Sequence, residues 1–209
     1  EADFTMILGL NEGAYDAAHH HLVAVDAATT NALAVVLAPL ADAFDVRGVL
    51  VSAVRAYGSD QQLLDAVAGD LRRARSAPQS IVPTSSRSAT SVGRFVPPVA
   101  GKVAGLAVRV PVPVVSMLEL TMHLGEPVAA ERLNACLSDA AAGPLGRVLG
   151  TSRAPLVSSD YRGSRYSAVV DLPLTIAIGP LAKVGAWYDN EWAYACRIAD
   201  VAGVVATGG

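Results

Sequence analysis

Apolar residues fall in short, well-separated runs, and their spacing predicts alternating strands and helices. Residues 4–10 (FTMILGL) are almost continuously apolar and stop at Asn11-Glu12-Gly13, the pattern of a strand buried on both faces as in a parallel sheet. A short strand is expected at 22–25. From 31 to about 44, Leu33, Val36, Leu37, Leu40 and Phe44 recur at helical spacing, so an amphipathic helix is expected there with Thr29 or Thr30 as its N-cap. Residues 47–57, 102–110, 114–124, 167–178 and 183–187 read as strands parted by Pro or Gly. A helix over about 127–141 lies among them and another, about 190–205, closes the chain. Several strands with a few helices on one side indicate an α+β fold. The stretch 62–95 is long and irregular, and a loop of that length inside a compact domain usually serves function.

Composition narrows the functions open to such a fold. The chain has 209 residues, 52% of them hydrophobic, enough to bury a sizeable core in one domain. Its net charge of −3 offers no electrostatic footprint for nucleic acid, and no run of like charge suggests an anionic membrane surface. No apolar run reaches a membrane span, and the first residues lack the basic-then-apolar plan of a signal peptide. Two cysteines, Cys136 and Cys196, suit a reducing cytoplasm better than a disulfide scaffold. His19, His20 and His21 are consecutive and cannot converge as helical ligands one turn apart, so no metal site is expected there.

Candidate chemistry gathers at DAATTN, residues 26–31, the junction between the second strand and the first helix. Free backbone N–H groups and the positive end of a helix macrodipole meet at such a turn, which suits an anion or a developing oxyanion. Cationic side chains in DLRRAR (70–75), beside hydroxyls in TSSRSATS (84–91), could hold phosphate or carboxylate or could simply be solvated.

These segments, with AYGSDQ (56–61), GKVAGLAVRVPVPVVS (101–116), PLVSSDYRGSRYSAVVD (155–171) and WYDNEWAY (187–194), resemble in order and spacing the catalytic portion of phosphorylating glyceraldehyde-3-phosphate dehydrogenase. The resemblance implies a mixed, largely antiparallel sheet with helices on one face. In that family a dinucleotide-binding domain precedes this portion, and no GxGxxG opens a βαβ unit here. Residues 1–25 and 190–209 are then expected to be remnants of that domain, with no cofactor, and in particular no NAD, bound by the chain alone.

The pattern departs from the family where its chemistry resides. The family's SCTTN places a nucleophilic cysteine at the helix start, and Ala27 and Ala28 stand there instead, so no thiohemiacetal or acyl-enzyme can form. The histidine that activates the cysteine has its counterpart in Arg55, which stays protonated and cannot act as a general base. Gly58 replaces a threonine, Ser86 replaces the phosphate-binding threonine, and Arg87 replaces the glycine after it, while Thr29, Arg72, Arg73, Arg109 and Asn190 keep the family type. Two dispositions of Arg55 are open: inward, held by Asp26, or outward into solvent. Asn190 either faces a ligand or caps the last helix. Arg55, Arg87 and Asp26 are the expected catalytic groups, with Ala28, Thr29, Ser86, Arg109, Arg73, Asn190 and Tyr194 around a small anionic substrate. The expected function is a non-redox enzyme in the vacated pocket, such as a cyclase or isomerase of bacterial secondary metabolism. A non-catalytic, partner-binding subunit is the alternative. A homo-oligomer is expected, because a sheet made for a larger domain leaves apolar surface uncovered.

Overall fold

A computed structural model describes residues 2–208. Phe4–Met6 (β1) and Val23–Val25 (β2) pair parallel as a separate two-stranded sheet, with Phe4 opposite Val23. Met6, Ile7 and Leu8 are buried as the apolar run requires, but the strand ends at Met6. The reason is local: the Asn11 side chain accepts the Ile7 N–H at 2.7 Å and donates to the Thr5 carbonyl at 3.0 Å, turning the chain early. His20 is the packed imidazole of the triple-histidine loop, stacked on Phe4 with centroids 4.7 Å apart.

The main sheet is built from Val46–Ala56 (β3), Val82–Thr84 (β4), Val103–Val110 (β5), Ser116–Leu124 (β6), Leu149–Ser152 (β7), Ala168–Asp171 (β8), Ile176–Ile178 (β9) and Leu181–Tyr188 (β10). Its order is β4-β5-β3-β6-β10-β8-β7, with β9 on β10. The pairs β3–β5 and β7–β8 are parallel and the others antiparallel, so the α+β mixed sheet expected above is what the chain forms. Ala28–Ala43 (α1) packs on this sheet together with Ala130–Ala142 (α3). Ser88–Ser91 (α2) is a single turn against the start of α1, and Trp192–Thr207 (α4) closes the chain beside β2.

Further elements differ from the pattern-based expectation. Helix α1 is not amphipathic: Thr29 to Leu37 and Leu40 are all buried, because sheet, α3 and the 85–99 segment enclose it on several sides. It also starts earlier, with Ala27 at the N-cap and no capping side chain. The apolar stretch 167–178 is two strands, since Leu172-Pro173 breaks the ladder in a 3-10 turn. Strand β7 was not legible at all, and β4 lies within the stretch 62–95 expected to be irregular.

Alternation in β3 sets the two faces. Val49, Val51 and Ala53 point to α1 and are buried, while Leu50 points away and is exposed. Arg55 has the parity of Val51 and Ala53, so the fold delivers it to the helix side at the end of its strand.

Candidate functional site

The turn before α1 is held from within. Asn31 Nδ2 reaches back to the carbonyls of Asp26 at 2.6 Å and Ala27 at 3.2 Å, and Asp26 Oδ1 accepts the Ala27 N–H at 2.7 Å. The threonine hydroxyls, lying inside the first turn rather than capping it, are free to bond outward. Thr29 Oγ1 meets the Tyr188 hydroxyl at 2.9 Å, and Thr30 Oγ1 donates to Ser88 Oγ at 3.1 Å. The second bond ties the 85–94 segment to the helix start. The N-cap of this 16-residue helix makes no side-chain hydrogen bond to its first N–H groups.

Between the helix start and the 85–94 segment lies a pocket of about 490 Å³ lined by Asp26, Ala27, Thr29, Thr30, Arg55, Ser85, Ser86, Arg87, Ser88, Ser91 and Arg94. Three arginines and one aspartate are therefore among its lining residues, along with a row of serines and threonines; Arg55 is half-buried, and Arg87 and Arg94 are exposed. Arg55 turns inward, yet Asp26 bonds its own turn rather than Arg55. Among the described residues no carboxylate lies within ion-pair distance of Arg55, Arg87 or Arg94. Cations without a carboxylate partner beside a helix N-terminus attract anions. With no cysteine at the turn and no histidine on β3, the pocket can bind and polarise but has no thiol to acylate.

Arg109 is the in-register neighbour of Arg55 on β5, but it does not line this pocket. Its Nη1 donates to the Ala56 carbonyl at 2.7 Å, and its Nη2 lies 3.6 Å from Asp60. Burial pushes this guanidinium down from its ordinary value, Arg55 adds to the effect, and Asp60 opposes it. Arg73 lies in the same second cluster, 3.5 Å from Asp60 and 3.1 Å from Thr84 Oγ1. Ala28 faces a cavity of only about 10 Å³ with Asn31, Tyr188 and Tyr194. The Tyr194 hydroxyl is spent on the Val25 carbonyl at 3.3 Å. Asn190 accepts from Ser116 Oγ at 3.2 Å, and it is Asp189 that caps α4, accepting the N–H groups of Glu191 and Trp192. Of the expected site residues, the fold brings together Asp26, Thr29, Arg55, Ser86 and Arg87.

Sequence reasoning missed Arg94, Thr30, Ser88 and Ser91. Thr30 stood in DAATTN and Ser88 and Ser91 in TSSRSATS, both read as candidate chemistry, but no spacing says that the second segment folds onto α1 or that Arg94 comes with it. It also missed Tyr188, which is fully buried behind Thr29; burial raises its phenol above the ordinary value, offset in part by the Thr29 hydrogen bond and by Arg55.

Residues 27–190 match the model of the family described as glyceraldehyde 3-phosphate dehydrogenase, C-terminal domain. The chain belongs to this family. Glyceraldehyde-3-phosphate dehydrogenase 1 of Bacillus subtilis is 42% identical over 210 aligned positions, which cover 100% of this chain and 63% of the relative. Glyceraldehyde-3-phosphate dehydrogenase 2 of Trichormus variabilis is 43% identical over 205, covering 98% of this chain and 61% of the relative. The enzyme of Geobacillus stearothermophilus is 40% identical over 208, covering 99% and 62%. The chain thus spans about three fifths of the length of these dehydrogenases. Within the matched residues lie AATTN (27–31) and both arginine clusters.

Proposed function

We propose that this chain is a non-redox member of its family that binds a small anionic substrate between the start of α1 and the 85–94 segment. Arg55, Arg87 and Arg94 lining one pocket, none of them in an ion pair among the described residues, is the observation that carries the reading. Fixed guanidiniums and helix N–H groups stabilise negative charge that develops on an enolate or alkoxide, which is the need of a cyclase or isomerase. No covalent intermediate on residue 28 is required. Titration with inorganic phosphate tests the binding step. Arg55→Gln and Arg87→Gln are each expected to weaken it about tenfold, the usual worth of a charge-assisted hydrogen bond. Unchanged affinity in both variants would overturn the reading.

A partner-binding role is favoured by a different observation, the exposed apolar outer face of the sheet, with Leu50 at 65% and Ile178 at 73% exposure. We infer that a second copy covers this face in a homo-oligomer, within a reducing cytoplasm that suits two unbridged cysteines. The roles separate on which substitutions hurt. If Arg55→Ala and Arg87→Ala leave product formation intact while charges placed on the sheet face abolish it, the partner role stands and the catalytic one falls.

A further inference from the structure

The lining of the pocket leaves one choice of proton acceptor. Besides Asp26 it consists of arginines, serines, threonines and one alanine. Guanidiniums stay protonated and hydroxyls are too weakly basic, so Asp26 alone among these side chains can take up and return a proton at neutral pH. Tyr188 lies behind Thr29, fully buried, and does not line the pocket. The turn also fixes the carboxylate. Its Oδ1 accepts the Ala27 N–H at 2.7 Å, and the Asp26 carbonyl is held by Asn31 Nδ2 at 2.6 Å. Asp26 is half-buried and forms no ion pair with Arg55, Arg87 or Arg94 among the described residues. A carboxylate sharing a pocket with arginines is commonly spent on one of them. Left apart, the two charges keep separate uses: the carboxylate for a proton, the cations for negative charge.

We propose that Asp26 is the base of a carbon-acid reaction in this pocket, and that the substrate is a 2-oxo acid with a C–H beside its carbonyl. This rests on the anion-binding reading above and adds the base and the substrate class. Arg87 and Arg94, exposed at the pocket's edge, take the carboxylate, whose two oxygens match a guanidinium. Arg55, the most sheltered of the three, takes the neighbouring carbonyl oxygen. The free oxygen of Asp26 removes a proton from the carbon on the far side of that carbonyl. The C–H electron pair becomes the C=C bond of an enolate, and the carbonyl π pair moves to the oxygen that Arg55 holds. Return of the proton to the same carbon restores the ketone and the Asp26 carboxylate; return to the far end of an extended enolate isomerises the substrate.

Pyruvate in D2O is the probe, since loss of its methyl proton signal in NMR spectra reports the exchange of C–H for C–D. The full chain is expected to exchange it about 100-fold or more faster than buffer alone, the lower end of what a positioned base contributes. Asp26→Asn keeps an oxygen for the Ala27 N–H and removes the base. It is expected to fall to the buffer rate while binding inorganic phosphate at least as tightly, because a negative charge beside the anion is gone. Should Asp26→Asn not fold, Asp26→Ser, which also keeps an oxygen at the turn, carries the test. Arg55→Gln is expected to lose both exchange and phosphate affinity. Exchange at the buffer rate by an unaltered chain that binds phosphate, or undiminished exchange by Asp26→Asn, would overturn the proposal and leave the anion pocket standing. An unaltered chain that binds no phosphate would remove the pocket itself, and this inference with it.

Discussion

Tyr188 shows how a side chain outside the pocket governs it. Its hydroxyl is the partner of Thr29 Oγ1, so the first turn of α1 is braced from the sheet side while Thr30 is braced by Ser88. Tyr188→Phe leaves the Thr29 hydroxyl facing an apolar ring, and a loss of about 1 kcal/mol of stability in urea unfolding is expected. The pH dependence has a definite sign. Because burial raises the phenol of the folded protein, its contribution is fully present below the unfolded value of about 10 and is lost as pH rises through the folded one. Melting temperatures measured from pH 8 to 11 should fall less steeply for Tyr188→Phe than for the unaltered chain. Equal slopes would show that Tyr188 is not the group responsible. At this scale the sequence revealed the identity of Arg55, Arg87 and Ala28 but not their company. That Arg109 is occupied by Asp60, and that Arg94 joins the pocket, depends on loop paths that no residue spacing encodes.

Elements with strong periodicity were legible: β3, β5, β6 and β10, the helix α3, and α4 to within a turn. Those decided by tertiary contact were not. Strand β7, LGTS at 149–152, has one large apolar residue in four, and its Gly150 is small because a Cβ there would press on the Tyr166 ring at 3.1 Å. Helix α1 misled because sequence pattern assumes one wet face, and the fold leaves it almost none. Helix α4 rests on a buried charge. Arg197, 1% exposed, donates to the Arg165 carbonyl at 3.1 Å, to Ser167 Oγ at 3.2 Å and to Asp200 through Nε at 3.0 Å. Arg197→Ala leaves Asp200 only Arg147, at 3.7 Å, and leaves two buried acceptors unpaired, so a loss of about 3 kcal/mol is expected in denaturant unfolding. Arg197→Met should lose as much, since it keeps the volume and not the bonds; full stability in Arg197→Met would show that packing alone holds the helix.

For the whole molecule, the decisive asymmetry is between the two faces of the sheet. One is sealed by α1 and α3. The other carries Leu50, Leu106, Ile176, Ile178 and Leu181, all exposed, around the ion pair of Lys183 and Glu119 at 2.6 Å. Register places them together: Leu50 lies beside Ala104 and Thr121, and Leu181 beside Ile178. A contiguous apolar face of this kind is costly in water and marks a contact surface. A second copy offers the same apolar face, and each ion pair is already satisfied within its own chain, so a two-fold pairing buries no unmatched charge. Light scattering at micromolar concentration is therefore expected to give the mass of a dimer or a larger even assembly. Leu50→Lys with Leu181→Lys sets like charges against each other across the two-fold axis and should return the monomer. Since both positions point away from α1, phosphate affinity in the pocket should be unchanged in that monomer. A monomeric mass for the unaltered chain would instead mean that this face awaits a different protein.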